Sequence, residues 1–255
     1  MAAVLVLLAT AVQHRPQRVV GLNTQMTLPP GTWHGSQNAP GSGRALTIRE
    51  GSVATVETGA YVWHAGKVLC GELGEKHASQ IAGSSVLELG AGTGTVGIFA
   101  AGLGAARVLL TDGGSDGVLE QCRLNVEDNR DAYPEAVIDV LEFQWGDELP
   151  PAIGGAWDWV FGSDLTYGHG RHEPLCSTLR SLLLPDDEEG LLAMLSKAPR
   201  VLLSHQHRLG EPPLDAFYAC AASHGLTVEE VGRVERPPDG EYEPCSVSLL
   251  EVWKV

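Results

Sequence analysis

The chain has no CxxC pair, no apolar run approaching the ~20 residues that span a bilayer, and far fewer basic than acidic side chains. Each absence excludes something. The five cysteines, Cys70, Cys122, Cys176, Cys220 and Cys245, are odd in number and far apart, so a disulfide framework is not expected and a reduced, cytoplasmic setting is the simplest account. Without a long apolar run, no membrane partner is expected. With 17 Lys+Arg against 32 Asp+Glu the net charge is −15, which repels phosphate backbones and anionic lipid heads. Nucleic acid is therefore not an expected partner. The acidity serves either solubility alone or a cationic group on a protein. No GxSxG occurs, so a hydrolase nucleophile elbow is missing as well.

A length of 255 residues with a hydrophobic fraction of 44% supports one α/β domain with a sizeable core. The N-terminal MAAVLVLLATAVQHRPQR is apolar, but no Lys or Arg precedes its run; it reads either as an organelle address or as a poorly ordered tail. Residues 27–44 are rich in Pro, Gly and Ser. Residues 1–44 are accordingly expected to be a poorly ordered extension, and 45–255 the domain. From residue 45 the pattern alternates. Strands are expected at 45–49, 53–57, 85–89, 107–111, 137–143, 157–163 and 200–205, and helices at 61–80, 96–103, 116–129, 173–184 and 214–224. Two last strands, 227–234 and 245–253, have only the turn-rich PPDGEYEP between them. PDDEEG (185–190) reads as a surface insertion. The expected fold is α/β: a doubly wound, mostly parallel seven-stranded sheet ending in an antiparallel hairpin, without internal repeats.

The stretch VLELGAGTG (86–94) is an apolar strand, an acid and alternating glycines. In such folds ligands sit beyond the carboxyl ends of the strands. Gly90, Gly92 and Gly94 would let backbone, with Ala91 between, approach a ligand without Cβ clashes. Two cofactor readings compete. Gly92-Thr93-Gly94-Thr95-Val96-Gly97 fits the dinucleotide fingerprint GxGxxG, the pattern of an NAD(P)-dependent oxidoreductase. Its register is wrong, because Gly90 already makes the turn after the strand, and Glu88 would repel a pyrophosphate. S-adenosylmethionine carries a sulfonium and an ammonium and no phosphate, so it suits that acid better. Asp112, at the end of the next strand, is placed to accept hydrogen bonds from a ribose diol. It would serve either cofactor, or be merely a turn residue in TDGG.

ETGAYVWHAGKVLCGEL (57–73), VLELGAGTGTVGI (86–98), LLTDG (109–113), FQWGDEL (143–149) and WDWVFGSDLTY (157–167) occur in an order that resembles the seven-strand methyltransferases, and more narrowly methyltransferase family 16. That group includes many S-adenosylmethionine-dependent protein-lysine methyltransferases. The resemblance covers roughly residues 45–255. It implies that Trp63 contacts the cofactor, that Trp145 lies near the adenine, that Asp112 holds the ribose, and that Asp164 and Tyr167 form the family's D-x-x-Y motif, with Ser163 beside them at the strand end. The combination of Trp63, Trp145 and Asp164-Leu165-Thr166-Tyr167 is much more specific than the glycine motif. Other roles are open for each: core anchors for the tryptophans, and a helix N-cap plus a packing aromatic for Asp164 and Tyr167. His64 departs from the family, which commonly has an acid there. The implied activity is transfer of methyl to a lysine of a protein substrate by a monomer, with Asp164 orienting the amine and Tyr167 walling its slot. A protein-histidine or small-molecule substrate stays open. An adenine-methylating enzyme would carry (N/D)PP(Y/F) where this chain has Asp164-Leu165-Thr166-Tyr167. No metal centre is expected: His205 and His207 are read as pointing to opposite sides of a strand, and His169 and His172 have no carboxylate cluster beside them beyond Glu173.

Overall fold

Val86 and Leu87 are neighbours on one short strand, yet they belong to separate apolar cores, one on each face of a central sheet. The computed structural model describes residues 22–27, 45–51, 58–133, 135–168, 170–183, 198–208, 214–236 and 245–254. The expected strand 53–57 and the segments PDDEEG and PPDGEYEP lie outside them.

In chain order the elements are β1 (Leu22–Thr27), β2 (Ala45–Glu50), α1 (His64–Glu72), a wide π turn (Leu73–His77), α2 (Ala78–Ile81), β3 (Ser85–Leu89), α3 (Thr95–Gly102), β4 (Arg107–Asp112), α4 (Asp116–Asp128), β5 (Val137–Glu142), β6 (Trp159–Ser163), α5 (His172–Leu183), β7 (Arg200–Gln206), α6 (Asp215–Ser223), β8 (Leu226–Arg236) and β9 (Cys245–Lys254). The seven-stranded sheet runs β5-β4-β3-β6-β7-β9-β8. β5 through β7 pair in parallel, and β9 is antiparallel to both β7 and β8. The terminal hairpin therefore does not hang on the edge: β9 inserts between β8 and the rest, pairing Leu203 with Leu250 on one side and Val228 with Val252 on the other. Residues of α1, α3 and α4, such as Leu69, Ile98 and Val126, pack one face. Leu175 and Leu179 of α5 and Phe217 of α6 pack the other.

Two boundaries differ from the sequence reading. The helix expected from residue 61 starts at His64, because Trp63 is extended (φ −72°, ψ 152°) and Val62 gives its N–H to Glu50. Within the expected extension, Leu22–Thr27 forms a strand paired to β2. Toward the main domain, β2 pairs with no further strand among the described residues. The amides of Asn125 and Asn129, four apart on α4, take that place. Each accepts an N–H and donates to a C=O of one β2 residue: Asn129 with Thr47, Asn125 with Arg49. Gln121, one turn earlier, donates to Arg49 and Ala60.

The strand order reverses between β3 and β6. The chain leaves β3 toward β4 and β5 and returns to place β6 and β7 on the other side. The crevice beyond these carboxyl ends is where such sheets bind ligands.

Candidate active site

The turn after β3 is held by this chain's own carboxylates. Gly92 gives its N–H to Asp112 at 2.7 Å, Gly97 gives its N–H to Glu88 at 2.7 Å, and Gly94 gives its N–H to the Ala91 carbonyl at 2.7 Å. Glu88 is 1% exposed and sits beneath the first turn of α3, where a helix N-terminus favours an anion. Burial pushes its carboxyl up to about 8, against the pull of the Gly97 N–H, and Asp112 adds repulsion. The other oxygen of Asp112 accepts from Gly114 at 2.7 Å, so this acid does shape the TDGG turn while lining the crevice.

A cavity of about 530 Å³ opens above this turn. All ten residues singled out from the sequence line it. Glu88, Gly90, Ala91 and Gly92 come from β3 and its turn, and Asp112 from the tip of β4. Trp145 follows β5, Ser163 ends β6, and Asp164 and Tyr167 follow it. Trp63 stands ahead of α1, 40% exposed, with its indole N–H on the Thr58 carbonyl. Gly90 has φ +59°, and a Cβ there would meet Leu165 at 2.6 Å and the Trp145 ring at 2.8 Å. The Trp145 ring is therefore seated by the glycine as well as by the core under it.

Asp164 is the one non-glycine residue with positive φ (58°) among the described residues, and it is 4% exposed. It lies well ahead of α5, so it is not that helix's N-cap. Its carboxylate accepts the Gln206 N–H at 3.2 Å and pairs with both terminal nitrogens of Arg208. The Arg208 guanidinium in turn lies 5.0 Å from the Trp63 ring centre. The Tyr167 hydroxyl is 3.4 Å from that of Thr58, and Arg171 lies over its ring at 5.0 Å.

His205 and His207 require a correction. Residues two apart on a strand share a face, and their rings meet edge-on at 4.8 Å. Each is already engaged: His205 with the Thr166 hydroxyl at 2.7 Å, His207 with Ser248 at 2.7 Å. Burial pulls the His205 imidazole down to about 4, with repulsion from His207 adding to it.

The sequence reading did not single out Thr58, Gly59, Gln144 or Arg171, which also line the cavity, or Arg208 beside it. Gly59 matters because a Cβ on Gly92 would strike its carbonyl at 2.6 Å. Its signal, a glycine just ahead of the cavity-lining Trp63, was present in ETGAYVW. Arg208 had none, since 44 residues separate it from Asp164.

A family model described as lysine methyltransferase matches residues 42–204. The chain is 39% identical over 123 residues to the protein N-lysine methyltransferase METTL21A of Danio rerio, a stretch that is 48% of this chain and 55% of that protein. It is 32% identical over 172 residues to the protein N-terminal and lysine N-methyltransferase EFM7 of Cryptococcus neoformans, covering 65% and 54%. The chain thus spans about half the length of these curated relatives. Among solved structures, a Pyrococcus horikoshii protein proposed as an RNA methyltransferase superposes with a TM-score of 0.52 at 17% identity, over 81% of this chain and 91% of that one. Identity that low speaks to the fold alone.

Proposed function

This chain belongs to the lysine methyltransferase family, and from that premise we propose that it transfers a methyl group from S-adenosylmethionine to a lysine side chain of a protein. The observation that carries the cofactor half is the bonding of the glycine turn. A pyrophosphate needs free amides at a helix N-terminus. Here the Gly92 and Gly97 amides are given to Asp112 and Glu88, and both acids line the cavity. A floor made of Asp112 and of Glu88, which a cation can ionise, suits a cationic nucleoside, and the two amides these acids occupy are withheld from a dinucleotide phosphate. The absence of Cβ atoms at Gly90 and Gly92 keeps the floor open without disturbing Trp145 or Gly59.

When bound, S-adenosylmethionine supplies a methyl on a sulfonium, already electrophilic. Asp112 has acceptor sites left for the ribose hydroxyls, since each of its oxygens has accepted one N–H. Trp145 offers the adenine a ring face, Trp63 closes the open side, and Ser163 lines the wall between them. Glu88 and the Ala91 backbone meet the amino-acid portion. Position dominates such a transfer. The lysine must arrive neutral although its ordinary pKa is about 10.4, and desolvation in the slot walled by Tyr167 lowers that value. Asp164 orients the amine rather than deprotonating it, because a carboxylate stabilises ammonium. It reaches the amine only as Arg208 yields part of its hold. A monomer in a reducing, cytoplasmic compartment suits the five free cysteines.

Calorimetry against S-adenosylmethionine, NAD and NADP tests the cofactor. Radiolabelled S-adenosylmethionine with a cell extract, followed by identification of the labelled residue, tests the acceptor. The proposal expects binding of the first ligand alone and label on lysine. Binding of a nicotinamide cofactor, or label confined to histidine, would overturn it.

A further inference from the structure

On the face of the sheet away from α1, the helices α5 and α6 bring together four side chains that no step of methyl transfer uses. Cys176 is buried on α5, and Glu173 precedes it by three residues, on the same side. Cys220 stands in the last turn of α6 and His224 at its C-cap. One ligand atom each from Cys176, Cys220 and His224 lies within 4.8 Å of the others. Glu173, on the exposed side of this trio, reaches two of its members: one oxygen is 3.5 Å from the Cys220 sulfur and the other 3.3 Å from His224 Nε2.

The histidine is oriented as a ligand would be. Its Nδ1 lies 3.0 Å from the Cys220 carbonyl, one turn back, so Nδ1 carries the hydrogen and donates it there. Nε2, on the other side of the ring, faces Glu173 and is the nitrogen left to take a metal once it carries no proton. A metal-bound imidazole is commonly fixed this way, by a carbonyl on its other nitrogen. A proton on Nε2 or a bound cation can each bridge that nitrogen and the facing carboxylate oxygen. Two thiols within the same radius make a proton an incomplete answer, since sulfur and imidazole together select zinc-class ions.

We propose that Cys176, Cys220, His224 and Glu173 bind one zinc-class divalent ion in a closed, four-ligand site that straps α5 to α6. On binding, each thiol gives its proton to solvent; the 2+ ion takes two thiolates, one neutral imidazole and one carboxylate, and two protons are released. Four protein ligands leave no open position, so the role is structural. The strap has a local consequence, because Pro174, between Glu173 and Cys176, lines the cavity described above. Because both thiols must lose their protons on binding, loading weakens as the pH falls.

The test uses the whole chain, stripped with a chelator under reducing conditions and titrated with Co²⁺. A tetrahedral visible spectrum with a thiolate-to-cobalt charge-transfer band, saturating at one equivalent and bleached by one equivalent of Zn²⁺, is expected. Cys220→Ser and Cys176→Ser should each weaken that band at least tenfold in apparent affinity, and the double variant should abolish it. Zn²⁺ should raise the Tm of the wild-type chain but not that of Cys220→Ser. Because Cys220 is only half-buried, its serine variant keeps the test valid if Cys176→Ser fails to fold. Octahedral cobalt without charge transfer, charge transfer surviving in the double variant, or a Cys176–Cys220 disulfide that forms in air while the stripped chain ignores Zn²⁺ would each overturn the proposal.

Discussion

The Asp164 carboxylate, buried at the end of β6, is clasped by the guanidinium of Arg208, which follows β7. The clasp joins two neighbouring strand tips at the mouth of the cavity and carries Arg208 over Trp63. It gives Asp164 an anchoring role that mutation can separate from the proposed one toward the amine. Arg208→Ala leaves a nearly buried carboxylate without its cation. Because the Arg208 side chain is 23% exposed, the cost should be about 1–3 kcal/mol rather than that of a fully buried pair. Asp164→Asn keeps the shape. If Asp164 orients the amine, Asp164→Asn lowers kcat about 100-fold or more while the S-adenosylmethionine Kd moves less than about threefold. Arg208→Ala should lose far less activity at equal stability. Matching losses of rate in the two variants would reduce Asp164 to an anchor for Arg208.

Gly90 is a position where an added methyl group has no room. A Cβ would lie 2.6 Å from Leu165 and 2.8 Å from Trp145, at a φ of +59°. The strain alone costs about 1–3 kcal/mol. Relief by tilting Trp145 would disturb the ring proposed to meet the adenine. Gly90→Ala should therefore lower cofactor affinity at least about tenfold, which corresponds to about 1.4 kcal/mol. Gly83→Ala has a similar φ of +76° but open space around it, so it should cost stability alone. Calorimetry and thermal melts on the pair decide this; equal cofactor affinities would sink it.

Those two contacts mark what the sequence could and could not disclose. Continuous apolar runs placed β3, β4 and β7, which are buried on both faces, and a 3.6-residue pattern placed α4, each within a residue or two. The glycine turn, Asp112, Trp145 and the Asp164–Tyr167 segment were legible because each sits at a strand end, and the fold brings strand ends together. The insertion of β9 between β7 and β8 was not legible, since a hairpin reads the same whichever of its strands faces the sheet. Nor was the wide turn at Leu73–His77, which interrupts a helix without changing its apolar pattern. The Asn125 and Asn129 ladder was hidden for another reason: asparagine in a helix reads as solvent-facing until a strand edge needs its amide.

That ladder yields its own prediction. Asn125 accepts the Arg49 N–H and donates to the carbonyls of Arg49 and Thr93, and it is fully buried. Asn125→Ala strands these backbone groups, at about 2–4 kcal/mol. Thr93 belongs to the glycine turn, so the variant should also weaken S-adenosylmethionine binding. Asn129 does not reach that turn; Asn129→Ala should destabilise without changing cofactor affinity once the folded fraction is corrected for. Chemical denaturation paired with calorimetry separates the two effects, and an unchanged affinity in Asn125→Ala would refute the link from β2 to the site.

Glu88 should make stability depend on pH in an unusual direction for a carboxylate. Unfolded, it titrates near its ordinary 4.5; folded, burial moves it to about 8. Between those values the folded chain holds a proton that the unfolded chain has released, so the contribution of Glu88 is fully present below about pH 4.5 and is lost as the pH rises through 8. Glu88→Gln keeps an acceptor for the Gly97 N–H and removes the titration. Relative to wild type, the variant should gain about 2 kcal/mol or more between pH 5 and pH 9. A cationic ligand works in the opposite sense. The ammonium of S-adenosylmethionine favours the ionised carboxylate, so binding near pH 7 should expel a proton, seen as a binding enthalpy that changes with the ionisation enthalpy of the buffer. Glu88→Gln should erase that dependence. Parallel melting profiles for the two proteins across this range, together with buffer-independent enthalpies for both, would show that Glu88 is ionised in the free protein.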